Sequence, residues 1–481
     1  MSRVKKIATL TFGQGINVLV NFLFMPYMAR VLSYEDYGSY GQVLLVITFL
    51  GAILSFGLSQ ILYVYLNSDK ALKTIFSTNI FAAIFMGAIG TIILLGSTSF
   101  FESFLNNESL GKLLMIYAFS LIFTLPNQSI NSLLIFSNKV KTSAALVVFT
   151  NLLKVLLVVF FIQVYHSVYL AFIGILISQV IQFLIGIILT RKSIELKIDK
   201  SLFIEQLKKG FPLGLTGILG AGILYVDGLM VSRFEGVQEY AIYRNGAIEV
   251  PFISTIYASI AAIIMPEVTK LFSENKLKEI VELKRKVIIN TMMLTYPILI
   301  FLLFNSKDLI VLYVGEKYEA SAIIFAIFNL TLLIRVNDYH DVLVAANKSK
   351  IILLYYFIVF LLNIVLNIIL IHFFSSLGAA ISTIFSLFIF AFLHLDKSLK
   401  LINTTFFTLI PIMVFLKIII PSILLALTLS FIIPIFFANQ LKLFIFCLIY
   451  FPSIYFYLIK SKLMSVDTIY QILPFNFIKK F

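Results

Sequence analysis

Fourteen long apolar stretches, parted by short charged or turn-forming clusters, run along this chain from one end to the other. They lie near 6–31, 39–66, 74–100, 113–137, 142–164, 168–189, 211–233, 240–269, 287–304, 319–345, 351–373, 377–395, 411–437 and 441–459. Each approaches or exceeds the ~20 residues an α-helix needs to cross a bilayer, where every backbone polar group must be satisfied within the segment. No soluble core calls for so many such runs. Of the residues, 60% are hydrophobic and 12% charged, against about 45–50% and about 25% in ordinary globular domains. The expected fold class is all-α and polytopic, with about 14 transmembrane helices. Spans at ~20–22 residues each leave no room for a soluble catalytic domain. The only cysteine is Cys447, so an intrachain disulfide is excluded.

Two stretches need separate comment. The first opens on Arg3, Lys5 and Lys6, as a signal peptide does. It is longer than a signal core, carries Asn17 and Asn21, and no small-residue cleavage site follows, so it is expected to stay as an anchor. The stretch 404–437, with Pro411, Lys417, Pro421 and Pro434, is either one kinked span or a surface helix followed by a span.

The net charge of +14 would suggest nucleic acid as a partner in a soluble protein. Here the positive-inside bias of membrane proteins accounts for it, and nucleic acid is not expected. With the N-terminus in the cytoplasm, alternate loops and both tails hold 27 of the 37 Lys and Arg residues. The opposite loops hold six: Arg30, Lys112, Arg233, Lys307, Lys317 and Lys442. Lys154, Arg244, Arg335 and Lys417 remain inside spans. One missed span before residue 400 would scramble that alternation.

The chain also matches itself. Arg30-Val-Leu-Ser-Tyr-Glu-Asp36-Tyr37-Gly38-Ser-Tyr40 after the first span aligns, at an offset of 203, with Arg233-Phe-Glu-Gly-Val-Gln-Glu239-Tyr240-Ala241-Ile-Tyr243 after the seventh. Asn138-Lys139-Val-Lys141 after span four aligns with Asn347-Lys348-Ser-Lys350 after span ten, at an offset of 209. Together the matches relate spans 1–6 to spans 7–12. Six is even, so the halves face the same way about an axis along the membrane normal. Parallel repeats of this kind suit an alternating-access transporter.

Pro26-x-x-x-Arg30-x-Leu32-x-x-Glu35-Asp36-Tyr37-Gly38 resembles the N-terminal signature of the bacterial polysaccharide-export flippases, of O-antigen and capsule type. That family sits in the superfamily of multidrug and toxic-compound extrusion transporters. Further pieces fall in the same order: Gly210-Phe-Pro212, Asp227-Gly-Leu-Met-Val, Met265-Pro266, Gly315-x-x-Tyr318-x-Ala320 and Leu377-Gly378-Ala379-Ala380. The resemblance covers roughly residues 1–400. It implies two six-helix bundles, 1–200 and 201–400, in a V around a central cavity, followed by two accessory helices and a tail in 401–481. It implies a flippase of the bacterial cytoplasmic membrane that exports a polyprenyl-pyrophosphate-linked oligosaccharide for polysaccharide biosynthesis. Membrane lipid and the glycan-lipid are then the partners, with glycan polymerase machinery a further associate. No cofactor is expected beyond a coupling ion, proton or sodium.

Ionisable side chains within spans are costly, from ~3 kcal/mol on insertion scales to more than ~10 in simulations, and so mark the candidate site. Lys154, Arg244, Arg335 and Arg30 are the cations that could meet an anionic pyrophosphate. Asp227, Glu249, Asp338 and Asp341 are the carboxylates that could take a coupling ion. Bland readings stand beside these. Arg335 and Asp338, at i and i+3 on a helix, satisfy each other; Arg30 and Arg233 sit at span ends, where they snorkel to the interface. Lys154, near the midplane by helical rise, has no acid within four positions of its own span. Pro26, Pro212, Pro251, Pro266 and Pro297 would kink or start helices, as hinges or as fixed bends.

A cation or drug antiporter of the same superfamily is the alternative transport reading; it requires an acid-dominated cavity. A membrane glycan polymerase or modifying enzyme would need a catalytic loop, and no long extracytoplasmic loop exists. No phosphate-cradling Gly-rich loop ends in Gly-Lys-Ser/Thr. His166, His340, His372 and His394 are scattered without zinc-ligand spacing.

Overall fold

The computed structural model describes residues 3–65, 72–195, 197–337, 339–436 and 439–463. The tail 464–481, expected in the cytoplasm, lies outside the described residues. Among them all regular structure is helical, and the chain divides into two compact units, Met1–Ala241 and Ile242–Phe481.

The first unit holds α1 (Arg3–Val31), α2 (Tyr34–Leu54), α3 (Leu58–Tyr65), α4 (Leu72–Gly96), α5 (Thr98–Phe104), α6 (Leu110–Tyr117), α7 (Ser120–Phe136), α8 (Val140–Tyr165) and α9 (Val168–Thr190). It also takes most of α10 (Lys200–Gly246). Ends are set by local chemistry. Ser33 caps α2, its hydroxyl accepting from the Asp36 N–H at 3.0 Å, and Ser167 caps α9 through the Leu170 N–H at 3.3 Å. His166 stops α8 in the left-handed region at φ 50°.

Helices α1 and α8 run parallel, as two odd-numbered spans should. A Cβ on Gly13 would lie 2.8 Å from that of Ala144. Further along, Asn151 donates to Asn17 at 3.3 Å, Lys154 to Asn21 at 2.8 Å and Gln163 to Tyr27 at 2.8 Å. Both residue numbers rise together. By contrast α4 and α7, consecutive spans, run antiparallel: Gly87 abuts Leu121, whereas Ile80 clusters with Ile130.

The loops of this unit sort into two sets by contact, and the sets are those the charge alternation requires. On one side Asn106 donates to the Arg233 carbonyl at 2.7 Å, Asn107 to Ser39 at 2.7 Å, and Gln238 to Glu35 at 3.0 Å. On the other, Lys139 reaches the Leu189 carbonyl at 3.1 Å, and the Glu195 and Asp199 N–H groups donate to Ser77 and Thr78.

The second unit holds α11 (Pro251–Ser273), α12 (Leu277–Phe304), α13 (Ser306–Val314), α14 (Ser321–Asn329), α15 (Asp341–Ala345), α16 (Ser349–Leu401), α17 (Phe406–Leu409), α18 (Ile412–Phe436) and α19 (Asn439–Lys460). Its core gathers Ile288, Met292 and Tyr296 of α12 with Leu395, Ile418 and Leu458. Pro297 frees backbone carbonyls within α12. Nearby carbonyls are met from α19: Tyr450 donates to that of Pro297 at 3.0 Å and Tyr455 to that of Leu294 at 3.4 Å. Loop sorting holds here as well: Lys442 pairs with Asp308 at 2.8 Å, and Arg285 bonds the Thr408 carbonyl.

The helices fit the expected all-α membrane fold, but a count of fourteen is not reproduced. Eight described helices are long and apolar enough to cross a bilayer, or ten if each bent pair is one span. Part of the difference arises at breaks. Helix α16 is a single 53-residue element interrupted at Ser375 (φ 53°), between two expected spans. Helices α6 and α7 bend by 45°. Around span eight the expected limits move. Residues 234–239, expected as a loop, are helical apart from Gly236 (φ 86°), while the irregular stretch is 247–250. Pro251 explains this, because it holds Val250 extended (ψ 118°). The stretch 404–437 becomes the short α17, a break at Pro411, and α18 as one span.

Candidate functional site

A cavity of about 330 Å³ opens within the first unit, between α1, α2, α6, α8 and α9. Its polar wall is mostly neutral: Asn17 and Asn21 from α1, Asn151 from α8, and Gln179 and Gln182 from α9. Tyr40, Tyr117, Thr150 and Ser178 add hydroxyls. Among the described lining residues Lys154 is the single cation, and none is a carboxylate.

The parallel packing of α1 on α8 builds this wall. Asn17 and Asn21 are one turn apart on α1, and Asn151 and Lys154 are i, i+3 on α8, so both pairs face one seam. Asn21 receives the Lys154 ammonium at 2.8 Å and also donates to the Asn17 carbonyl at 2.8 Å. The partner of Lys154 is thus a neutral amide, which orients the ammonium without cancelling its charge. Tyr117 is held by Gln179 at 3.0 Å and by its ring against Phe172, 4.9 Å between centroids. The wall is a set of donors and acceptors around one cation, suited to hydroxyl-rich and anionic groups.

The other sequence candidates do not join Lys154 in that cavity. Arg30 is exposed in the last turn of α1. Asp227 is 1% exposed in α10, beside Gly228, where a Cβ would meet Tyr240 at 3.1 Å and Leu45 at 3.3 Å. Arg244 lies in the last turn of α10, in the second unit.

Two ion pairs in the second unit were not foreseen. Arg335 pairs with Glu249 at 2.9 Å, its guanidinium 5.8 Å from the Tyr257 ring centroid. The stretch 334–337, where an i, i+3 partnership of Arg335 with Asp338 was expected, is turn and bend. Asp338 itself lies outside the described residues. Asp341 pairs with Lys284 at 2.5 Å, the two side chains 1% and 2% exposed. Counting Lys284 among loop cations hid it. A signal was present: Ile280, Lys284 and Ile288 repeat at four-residue spacing, and all three are buried on one face of α12. The histidines scattered in sequence also meet in part, His340 and His394 lying 4.8 Å apart by ring centroid.

Comparison with known proteins places this architecture. Residues 27–323 match the model of a family described as polysaccharide biosynthesis protein. The chain belongs to the polysaccharide biosynthesis protein family. The matched region begins beside Arg30-x-Leu32-x-x-Glu35-Asp36-Tyr37-Gly38, the segment that carried the resemblance in sequence. An uncharacterized membrane protein of Methanocaldococcus jannaschii is 25% identical over 463 residues, covering 86% of this chain and 91% of its own length. Among solved structures, the lipid II flippase MurJ in an inward closed conformation aligns with a TM-score of 0.74 at 20% identity, over 95% of this chain and 98% of its own. An inward-facing multidrug resistance MATE family transporter of the MOP superfamily aligns at TM-score 0.64 and 14% identity, covering 80% and 94%. A MOP superfamily transporter from Pyrococcus furiosus aligns at 0.55 and 15%, covering 83% and 95%. This member of the polysaccharide biosynthesis protein family is therefore a multi-pass membrane protein with the fold of the flippases and multidrug transporters.

Proposed function

We propose that this chain is a flippase that moves a lipid-linked, anionic oligosaccharide across the membrane by alternating access, with Lys154 meeting the charged linkage. The observation that carries the reading is the first-unit cavity: five amides, four hydroxyls and one ammonium, with no carboxylate among the described lining residues. Sugar headgroups are polar on nearly every face and need many neutral hydrogen-bonding partners to leave water. A cation or drug antiporter needs the reverse, acid against cation, and the described lining of this cavity offers no acid. The family assignment supports polysaccharide export, and the MurJ likeness supports a lipid-linked cargo. The charge bias of the loops supports placing both termini in the cytoplasm, and the family resemblance supports a bacterial cytoplasmic membrane.

The test is reconstitution in vesicles with a fluorescent polyprenyl-pyrophosphate-linked oligosaccharide on one leaflet, scored by protection from an added membrane-impermeant glycosidase. Cargo is expected to equilibrate between leaflets in the presence of the protein. Transport of a cationic dye with no movement of the glycan-lipid would replace this reading with the antiporter.

A further inference from the structure

Positive-inside bias spreads cations along the cytoplasmic loops, but it does not keep acids out of them. Between Glu108 and Glu195 the chain carries no acidic residue. Four cations of that stretch come together at one corner of the first unit. Helices α8 and α9 pack antiparallel: a Cβ on Gly174 would lie 3.0 Å from that of Leu157, while the Lys139 ammonium reaches the Leu189 carbonyl at 3.1 Å. The start of α8, with Lys139 and Lys141, is therefore level with the turn that follows α9, Arg191–Ser193. Lys139, Lys141, Arg191 and Lys192 are all exposed, and none forms an ion pair with a described residue. Glu195, the next acid along the chain, accepts from the Thr74 hydroxyl at 2.5 Å.

We propose that this corner binds the headgroup of an anionic phospholipid, whose acyl chains lie along the exposed apolar faces of α8 and α9. The site does not depend on the flippase reading.

Headgroup and tail each find a match. The Arg191 guanidinium can take two oxygens of a phosphodiester at once, and the lysines add point charges. Lys139 keeps donors to spare, since the Leu189 carbonyl uses one of its three. Ile177, Leu184 and Ile188 are exposed on one face of α9 and lead up to Arg191. From Ile177 to Ile188 the helix rises about 16 Å, roughly half of the ~30 Å hydrocarbon core and so the depth of one leaflet. On α8, Phe149 and Leu152 are exposed on the side that begins at Lys141. A zwitterionic lipid meets the apolar faces equally well but brings no net charge to the four cations; an anionic one does.

A like corner in the second unit supplies the contrast. The two halves of α16 run antiparallel, Tyr356 against Phe390 and Leu370 against Gly378, so Lys348 and Lys350 at its start lie toward Lys400 at its end. There Lys400 pairs with Asp396 at 2.6 Å. One corner carries its own counter-charge; the other leaves it to be supplied from outside the chain.

The chain has no tryptophan, so a single one can report on each corner: Ile188→Trp on α9, or Phe392→Trp on α16, both at exposed apolar positions. Fluorescence quenching is measured in phosphatidylcholine vesicles that contain brominated phosphatidylglycerol, and compared with brominated phosphatidylcholine. At Ile188→Trp the anionic lipid is expected to bind about tenfold better than the zwitterionic one, and at Phe392→Trp the two should quench alike. Adding Lys141→Gln, Arg191→Gln and Lys192→Gln, which spares the Lys139 bond to Leu189, should abolish the preference. Should that variant fail to insert, about 1 M salt on the unaltered corner should weaken the preference instead, because the screening length falls to about 3 Å. No preference at Ile188→Trp, an equal preference at both reporters, or a preference that survives loss or screening of the charges would overturn the site. Displacement of the brominated lipid by a trace of polyprenyl-pyrophosphate-linked oligosaccharide would give the corner to the cargo and overturn it as well. No transport is measured, so failure here leaves the flippase reading standing, and failure of vesicle transport leaves the lipid site standing.

Discussion

At the scale of single residues, Lys154 and Lys284 show how one side chain takes different meanings from its partner. Lys154 keeps its charge toward a polar cavity because its ligand is the Asn21 amide; Lys284 has its charge matched by a buried carboxylate. The two should respond to truncation in opposite ways. Lys154→Ala strands no acid, so the protein should reach wild-type levels in the membrane while glycan-lipid transport falls about tenfold or more, the worth of a charge-assisted hydrogen bond. Lys154→Arg should keep much of the activity, since a cation persists, although its geometry differs. Wild-type transport by Lys154→Ala would remove it from the binding site. Lys284→Ala removes one partner of a buried ion pair, and should lower folded yield by the equivalent of about 3–5 kcal/mol, read as loss of the monodisperse peak in detergent.

At the scale of elements, the two internal matches turn out to differ in kind. Asn138 and Asn347 both take the left-handed region, at φ 59° and 55°, and each is followed by a lysine N–H bonded five residues back at 2.8 Å. This is a helix-ending turn that asparagine tolerates well. The same turn occurs at Asn275–Lys276, so this match reports local cap chemistry. The offset of 203 carries more. It equates Ser33 with Gly236, and the helix breaks at both. It also equates Glu35 with Gln238, which touch at 3.0 Å. Close packing of these segments depends on Gly38, where a Cβ would lie 2.3 Å from the Val237 carbonyl oxygen. Gly38→Leu should therefore destabilise by about 1–3 kcal/mol, as overpacking does, measured as a lower midpoint of thermal unfolding. Ser33→Ala removes the α2 cap and should cost about 1 kcal/mol in the same assay.

At the scale of the whole molecule, the alternation of loops is the property most open to direct test. Contacts within each unit join Asn106 to Arg233 and Lys442 to Asp308, all assigned to the outer side by charge. Reporter fusions after Lys209 and after Lys400 should report cytoplasm, and fusions near Asn106 and Ser306 the outside. A reversed pattern would sink the orientation, though not the sorting of loops into two sets.

Membrane residence, the all-helical class, the family and the alternation of loops were legible in the sequence, because each is written in local or periodic features: run length, charge bias and a short signature. Lys154 was legible too, as a cation with no acid on its own helix. The neutral wall around it was not, since Asn17, Asn151 and Gln179 are unremarkable until α1, α8 and α9 pack. The Lys284–Asp341 pair spans 57 positions, and the Arg335–Glu249 pair joins two breaks that apolar periodicity had hidden inside continuous spans. Hydrophobicity determines that a segment enters the membrane. Where its backbone is interrupted, and which charge meets which, is decided by neighbouring helices, because only they supply the partners that make a buried ion or an unpaired carbonyl tolerable.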